Sequence, residues 1–285
     1  MSIRQITIIG TGLIGGSFGL AAKANRFRGK IIGCDRQEVL AKAKRKCAID
    51  VGIIDPVESI QGSNVVLLAI PVGGILGLIS TLAPHLAADT LLTDVGSTKS
   101  EVLRAAEKAF GKAAPRRFLG GHPMAGKENS GLKYADSELF RGAVWFLAGT
   151  RDQNLTTQPT ADFLRMIKKI GAHIAVLPSS EHDQLCGWIS HVPQMISTAL
   201  ASTLVEEYGE NAPLLESGGR ALREMTRIAA SPYSMWRDIA ITNRVIIAEA
   251  LLKLEQKLSH IRENLDTREL EREFEQAHRL KPEKT

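Results

Sequence analysis

The sequence predicts an α/β protein in two parts, an N-terminal doubly wound domain over residues 1–179 and an all-helical domain over residues 180–285. Two observations support this division. Through the first part, short apolar runs alternate with helical patterns, as in a mostly parallel sheet that helices cover on both faces. From Glu181 onward the apolar spacing is helical, and no run has the character of a strand.

Seven apolar runs predict the strands of the first domain. They are rich in Val, Ile and Leu with little polar alternation, as expected of strands buried on both faces. The runs are Ile6–Ile9, Lys30–Cys34, Val65–Ile70, Leu91–Asp94, Phe118–Gly120, Val144–Ala148 and Ile174–Leu177. The helical patterns between them are Ile14–Asn25, Glu38–Lys46, Lys99–Phe110 and Ala161–Ile170.

The second domain begins and ends its helices at recognisable residues. Ser231 and Pro232 predict a helix start, because Ser caps helices and Pro suits the first helical position. That helix is expected to continue to Leu254, and Pro193 is expected to start or kink another. An apolar helical domain favours packing against a second copy, which predicts a homodimer. The charged segment 262–285 predicts a solvated helix, with the tail from about residue 266 partly disordered.

Composition excludes several classes of protein. Of 285 residues, 44% are hydrophobic and 24% charged, which is typical of a globular protein. No apolar run has the length of a membrane span or of a signal peptide, so we expect a cytoplasmic protein. Cys34, Cys47 and Cys186 form no CxxC pair, which predicts neither a disulfide framework nor a metal site. The net charge is +5, and the basic residues are scattered along the sequence and mixed with acidic ones. This distribution argues against a nucleic-acid-binding protein and suits the binding of small anionic ligands.

A glycine motif follows the first predicted strand and opens the first predicted helix. Its residues are Gly10, Thr11, Gly12, Leu13, Ile14 and Gly15. Gly10 permits the tight turn, Gly12 lets the backbone approach a pyrophosphate, and Gly15 lets helix and strand pack closely. The free N–H groups at the helix start would face the phosphates. This context predicts a Rossmann-like dinucleotide-binding domain.

The end of the second predicted strand supplies the expected ribose-binding acid, Asp35, about twenty residues after the glycines. Its carboxylate suits the ribose hydroxyls and repels a 2′-phosphate, so NAD is favoured over NADP. Arg36 is able to stack on adenine or to meet a 2′-phosphate, which leaves NADP open. Ile70 and Pro71 end an apolar run at the edge where ligands bind, and we expect them to flank the nicotinamide.

His122 is the candidate general base. A hydride-transfer enzyme needs a group that takes the proton of the alcohol, and histidine is the usual one near neutral pH. His122 follows a predicted strand in a glycine-rich segment, 121–126. It should therefore lie at the carboxyl edge of the sheet, beside the nicotinamide.

Four further segments, together with the glycine motif, resemble the prephenate/arogenate dehydrogenase family. They are Asp94–Lys99, Gly121–Gly126, Ser190–Pro193 and Trp236–Ile239. They occur in the family's order and span the chain to about residue 260. The glycine motif is shared with many dehydrogenases, whereas Gly-His-Pro-Met-Ala-Gly combined with Ser-His-x-Pro is specific.

The resemblance implies an NAD(P)-dependent oxidative decarboxylation on the route to tyrosine, by a nucleotide-binding domain followed by a helical dimerisation domain. It implies that His122 draws off the proton of the ring hydroxyl and that Ser97 lies beside that hydroxyl. It also implies that His191 lines the substrate pocket and that Arg237 holds a substrate carboxylate. Loss of CO2 makes the ring aromatic, so the reaction needs no metal.

Several alternatives stay open at this stage. Gln194 lies where some relatives have a histidine, so the choice between prephenate and arogenate as the substrate stays open. Ser97 is also placed to cap a helix near Thr98, and Arg237 to pair with a neighbouring acid such as Asp238. A β-hydroxyacid dehydrogenase would need a catalytic lysine in the second half that has no fitting motif here, and an NAD-binding sensor would need no catalytic base. Lys99 and Glu128 lie in good motifs without an assigned role.

Overall fold

A computed structural model describes residues 3–127, 129–149, 157–209 and 217–280. Its centre is an eight-stranded sheet in the order β3-β2-β1-β4-β5-β6-β7-β8. The strands are β1 (Gln5–Ile9), β2 (Lys30–Cys34), β3 (Val51–Ile53), β4 (Val65–Leu68), β5 (Leu91–Asp94), β6 (Phe118–Pro123), β7 (Val144–Ala148) and β8 (His173–Val176). The order reverses between β1 and β4, which places a ligand crevice at the carboxyl ends of these strands.

All seven predicted strands are present, and the structure adds two features that the sequence prediction did not specify. β3 was not predicted, because this edge strand has only three residues, which are half-buried. β7 runs antiparallel to β6, whereas the other strand pairs are parallel. Among the described residues between β6 and β7, the one helical element is a short 3-10 turn at Leu132–Tyr134, so no described crossover helix connects these two strands.

Helices pack on both faces of the sheet. They are α1 (Leu13–Ala24), α2 (Gln37–Arg45), α3 (Pro56–Ser59), α4 (Val72–Leu82), α5 (Ser100–Phe110), α6 (Ala114–Arg117) and α7 (Gln158–Lys169). One face buries the aromatic cluster of Phe18, Trp145 and Phe163, whose ring centroids lie 6.1–6.3 Å apart. Each such side chain contributes roughly 1.5–3 kcal/mol by leaving water. Packing on this face therefore holds α1, α7 and β7 together.

The second part of the described chain is helical, as predicted. Its helices are α8 (Ser179–Cys186), α9 (Val192–Tyr208), α10 (Arg220–Arg227), α11 (Tyr233–Thr242), α12 (Arg244–Glu263) and α13 (Arg268–His278). Pro193 lies in the first turn of α9, after a π-helical segment over Gly187–His191. None of the described helices is long and apolar enough to cross a membrane.

Two details of the helical part differ from the sequence prediction. α11 begins at Tyr233, after Pro232, and Ser231 does not cap it. The predicted helix to Leu254 is interrupted at Asn243, which leaves helical geometry at φ −118° and ψ 24°. The buried Asn243 amide instead donates to the carbonyl oxygen of Asp183 and lies 3.0 Å from Nδ1 of His191.

The charged C-terminal segment forms α13, which has no buried residue. A solvated helix was predicted here, because the segment has little apolar surface to bury. Partial disorder was predicted from about residue 266, but Arg268–His278 of that tail is helical. The residues beyond 280 lie outside the described residues.

Candidate active site

A cavity of about 380 Å³ lies at the carboxyl edge of the sheet, where the glycine loop, the ends of β4, β5 and β6, and the start of α11 meet. It brings together half of the predicted cofactor-binding residues and both predicted catalytic residues. The predicted residues in its wall are Gly12, Leu13, Ile14, Ile70, Pro71, Ser97 and His122. Pro232, Ser234, Met235 and Ile239 close it from the helical part.

The glycine loop has the geometry that its sequence predicts. Gly10 has a φ of 92°, in the left-handed region that favours glycine, and its N–H donates to the carbonyl of Cys34. A Cβ on Gly15 would collide with the carbonyl oxygen of Gly10, so helix α1 packs on the loop only because this residue is glycine. A Cβ on Gly12 would meet nothing within 4 Å, so this backbone faces open space that a ligand is able to approach.

Asp35 and Arg36 lie outside this cavity, in an adjoining one of about 580 Å³ that Gly12 also lines. The Asp35 carboxylate accepts hydrogen bonds from the backbone N–H of Thr11 at 2.8 Å and from the backbone N–H of Arg36 at 2.8 Å. It therefore links the glycine loop to the end of β2. Five cationic residues line the same cavity, and they are Arg36, Lys42, Arg45, Lys46 and Lys133.

Lys99 has a structural role that the sequence did not reveal. It is fully buried and pairs with the fully buried carboxylate of Asp94. The same carboxylate accepts from the backbone N–H of Gly96 at 2.8 Å and of Gly121 at 3.1 Å. This buried pair therefore ties the loop after β5 to strand β6, next to His122. Glu128, the other residue without an assigned role, lies outside the described residues.

His122 is one end of a buried chain of polar side chains. Its Nδ1 lies 2.9 Å from Nε2 of His182, and Nδ1 of His182 lies 2.9 Å from Oδ1 of Asp183. Asp183 also accepts from the backbone N–H groups of Lys99 and Ser100 and so caps α5. Ser97 is not the cap of this helix. It is half-buried and lines the cavity, while its place beside the substrate hydroxyl, which the resemblance implies, stays a prediction.

The ionisation of this chain follows from its surroundings. Burial opposes the charge on Asp183, but hydrogen bonds from His182 and from the start of α5 outweigh it and lower the pKa of the carboxyl. Burial and the neighbouring His182, Lys99 and His191 hold the pKa of His122 well below its usual value. His122 is therefore neutral at pH 7, which is the state of a general base.

The ionised carboxylate of Asp183 also determines the tautomers of His182 and His122. An ionised carboxylate only accepts, so His182 donates its Nδ1–H to Asp183 and has a lone pair on Nε2. His122 then donates its Nδ1–H to that lone pair. The remaining ring nitrogen of His122, Nε2, is unprotonated and able to take a proton at the cavity wall.

His191 and Gln194 are buried in the helical part and do not line the cavity. Burial lowers the pKa of His191 to about 4, so the ring is neutral. Within the described residues, Nε2 of His191, Oε1 of Gln194 and Nε1 of Trp236 are buried polar atoms without a hydrogen-bond partner. Such atoms carry a free-energy cost, which a polar ligand group would relieve.

Arg237 is placed differently from the expectation. Its side chain is 57% exposed, and Nε donates to Oδ1 of Asp238 at 3.0 Å. It is not among the residues that line the cavity. Asp238 in turn accepts from the backbone N–H of Gly73 at 2.9 Å and so joins α11 to the start of α4. The pairing with Asp238 is the alternative that the sequence left open.

Sequence reasoning missed His182 and Asp183. Both are adjacent in the chain at the start of the helical part, some sixty residues from His122. A neighbouring His-Asp pair near the Ser-His segment was the available signal. No spacing rule connects such a pair to a histidine on a distant strand, so only the fold reveals the contact.

The glycine loop and the neutral, buried His122 lie in one cavity at the carboxyl edge of a doubly wound sheet. This combination defines an NAD(P)-dependent dehydrogenase, an oxidoreductase that removes a hydride and a proton from its substrate. The chain belongs to the prephenate dehydrogenase family. It matches the family's nucleotide-binding domain over residues 18–176 and its dimerization domain over residues 178–279.

Individual relatives agree with this assignment. Prephenate dehydrogenase of Lactococcus lactis subsp. cremoris is 33% identical over 289 residues, which cover 98% of this chain and 77% of the relative. The crystal structure of prephenate dehydrogenase from Aquifex aeolicus with hydroxyphenyl propionate and NAD+ is 30% identical, with a TM-score of 0.85 over 98% of this chain and 96% of that one. Synechocystis arogenate dehydrogenase is 26% identical, with a TM-score of 0.77 over 96% and 97% of the two chains.

Proposed function

We propose that this protein oxidises prephenate with NAD, giving 4-hydroxyphenylpyruvate and CO2 in the biosynthesis of tyrosine. The observation that carries the proposal is the position of His122 in the same cavity as the glycine loop, with its Nδ1 occupied by His182. The crystal structure of the Aquifex relative holds hydroxyphenyl propionate together with NAD+. A cavity that receives a hydroxylated six-membered ring beside a dinucleotide agrees with this chemistry.

The residues present fit a dinucleotide. The open space at Gly12 leaves room for a pyrophosphate against the backbone N–H groups at the start of α1, and Asp35 is placed for the ribose hydroxyls. When bound, NAD supplies the hydride acceptor. Ile70 and Pro71 would flank it at the end of β4. The preference for NAD over NADP is part of the proposal and rests on the charge of Asp35.

The proton is handled by His122. Nε2 accepts the proton of the ring 4-hydroxyl as the hydride leaves C4, and the imidazolium that forms is stabilised through His182 by the charge of Asp183. The C1 carboxylate then departs as CO2, and its bonding electrons complete the aromatic ring. His122 returns the proton to the phenolate oxygen, so the residue ends the reaction as it began.

We propose that the substrate's carboxylates bind towards the helical part, where Arg237, His191 and Gln194 lie outside the wall of the cavity in this structure. Arg237 has the planar, doubly donating group that suits a carboxylate, and its exposed side chain is free to reorient from Asp238. His191 and Gln194 have unpaired buried atoms suited to the pyruvyl side chain. Gln194 is uncharged and accepts or donates, so arogenate is the competing substrate.

We further propose a cytoplasmic homodimer that forms through the helical part. The described helices after residue 180 leave many large apolar side chains exposed, among them Trp188, Ile189, Ile241, Val245, Leu252 and Leu258. Such surface is typical of an interface between copies. The three cysteines are free thiols, as expected in a reducing compartment.

A steady-state assay of prephenate and arogenate against NAD and NADP tests the proposal. The expected result is the highest kcat/KM with prephenate and NAD, with one CO2 released for each reduced nicotinamide. A higher kcat/KM with arogenate would reassign the substrate within the family. Reduction of NAD with neither compound would contradict the proposal.

A further inference from the structure

Three buried atoms that are good metal ligands lie together behind His122. Sγ of Cys186 is 3.8 Å from Nδ1 of His122 and 3.4 Å from Nε2 of His182, and these two nitrogens are 2.9 Å apart. Cys186 and His182 are fully buried, and His122 is 8% exposed at the cavity wall. The proposed reaction makes no use of the thiol.

These separations suit a zinc ion. Zn–N bonds of about 2.0–2.1 Å and a Zn–S bond of about 2.3 Å put tetrahedral ligand atoms roughly 3.3–3.6 Å apart. The three atoms thus need to move only slightly to reach this arrangement. One thiolate with two imidazoles is a donor set that favours Zn²⁺ over Mg²⁺ or Ca²⁺.

The surroundings support the same ligand set. His182 and Cys186 are four residues apart on α8 and so share one face of the helix. Nδ1 of His182 is held by Oδ1 of Asp183 at 2.9 Å, the arrangement in which a carboxylate orients a metal-binding histidine. His122 gives the site a route to the cavity, and a water or an anion would take the fourth position.

We propose that His122, His182 and Cys186 bind Zn²⁺ and that the bound ion stops catalysis. On binding, the Cys186 thiol releases its proton to solvent, and the ion replaces the hydrogen bond between the two histidines. The proton on Nδ1 of His122 moves to Nε2, since a neutral imidazole with a metal on one nitrogen has its proton on the other. Nε2 then has no lone pair for the substrate's hydroxyl proton. Inhibition rests on the proposed function, whereas binding does not.

Binding is tested with Co²⁺, which reports thiolate ligation by a charge-transfer band in the near ultraviolet. The unmodified protein is titrated beside Cys186→Ser, with Cys34→Ser and Cys47→Ser as controls for a buried and an exposed thiol elsewhere. We expect a band that saturates at one equivalent and is removed by Zn²⁺ in the unmodified protein and both controls, and no band in Cys186→Ser. Absence of the band from the unmodified protein, or its persistence in Cys186→Ser, would overturn the site.

Inhibition is measured as the ratio of turnover with and without Zn²⁺ for each protein, so basal differences between variants cancel. We expect Zn²⁺ to inhibit the unmodified enzyme reversibly, with recovery after EDTA, and Cys186→Ser to need at least about tenfold more Zn²⁺, since it lacks the thiolate. A cobalt band without inhibition would overturn the inhibitory part while the site stands. An active enzyme without a band would overturn the site while the proposed function stands.

Discussion

The two ends of the catalytic cavity are built in different ways. The cofactor end is a run of consecutive residues, 10–15, whose backbone forms the site and whose charged neighbours face solvent. The histidine end combines His122 from β6 with His182 and Asp183 from α8, all nearly or fully buried. A site formed by backbone groups binds the pyrophosphate, which all dinucleotides share. Buried side chains instead set the protonation state of His122, which one particular reaction needs.

Burial also predicts where substitutions have the greatest effect. At the cofactor end, Asp35 and its surrounding cations are accessible to water, which screens charges. At the histidine end, Asp94, Lys99 and Asp183 are almost fully buried, so each charge acts at low dielectric. Changes at the histidine end should therefore alter turnover by orders of magnitude, and changes at the cofactor end should alter preference modestly.

The largest effect is expected from His122→Asn. Removal of the general base should lower kcat by roughly 10²–10⁴-fold and change KM much less, because the base acts mainly in the transition state. Steady-state kinetics with prephenate and a separate titration of NAD binding check this, and NAD affinity should be unaltered. A variant that changes only KM would show that His122 binds the substrate and does not take its proton.

The pH profile of the unmodified enzyme also tests the role of His122 as the general base. Protonated His122 is unable to accept a proton, so kcat/KM should fall as the pH drops through the pKa of His122. Burial and neighbouring charges hold that pKa well below 6.5, so no acid limb from this residue should occur near pH 6.5. An acid limb at the ordinary histidine value would contradict the proposed electrostatics.

The next effect in size concerns His182, which we regard as a positioning residue. His182→Leu removes the acceptor that fixes the His122 tautomer, and kcat should fall about 10–100-fold, the equivalent of a hydrogen bond to a charged group at roughly 1.5–3 kcal/mol. His182→Gln retains an acceptor oxygen and should recover part of this loss. If the two variants had equal kcat and equal thermal stability, His182 would not position His122 for catalysis.

Arg237→Gln should have a smaller effect, confined to binding. We expect KM for prephenate to rise about tenfold with kcat little changed, since an exposed charge pair contributes less than the ~2–5 kcal/mol of a desolvated one. Arg223→Gln, an exposed arginine on α10, is the matched control. An unchanged KM would mean that Arg237 only pairs with Asp238, as it does in the structure.

The smallest effect is expected at the cofactor end. Asp35→Ser should shift the ratio of kcat/KM for NAD against NADP towards NADP by about fivefold, because two charges about 4 Å apart in water interact by only ~1 kcal/mol. Arg36→Ser should shift the ratio in the opposite direction. Preference for NADP in the unmodified protein would show that the cations around Asp35 decide the choice.

The sequence by itself determined what depends on neighbours in the chain. Buried strands have local apolar patterns, and the turn at Gly10 and the close packing at Gly15 require glycine at those positions, so the sheet and the cofactor loop were predictable. The tertiary structure alone decided what depends on distant residues. It joined His122 to His182 and Asp183, gave Lys99 its partner Asp94, and interrupted a predicted helix at Asn243 to satisfy buried polar groups. Buried polar atoms must find partners wherever the fold brings them, and no local pattern encodes which partner that is.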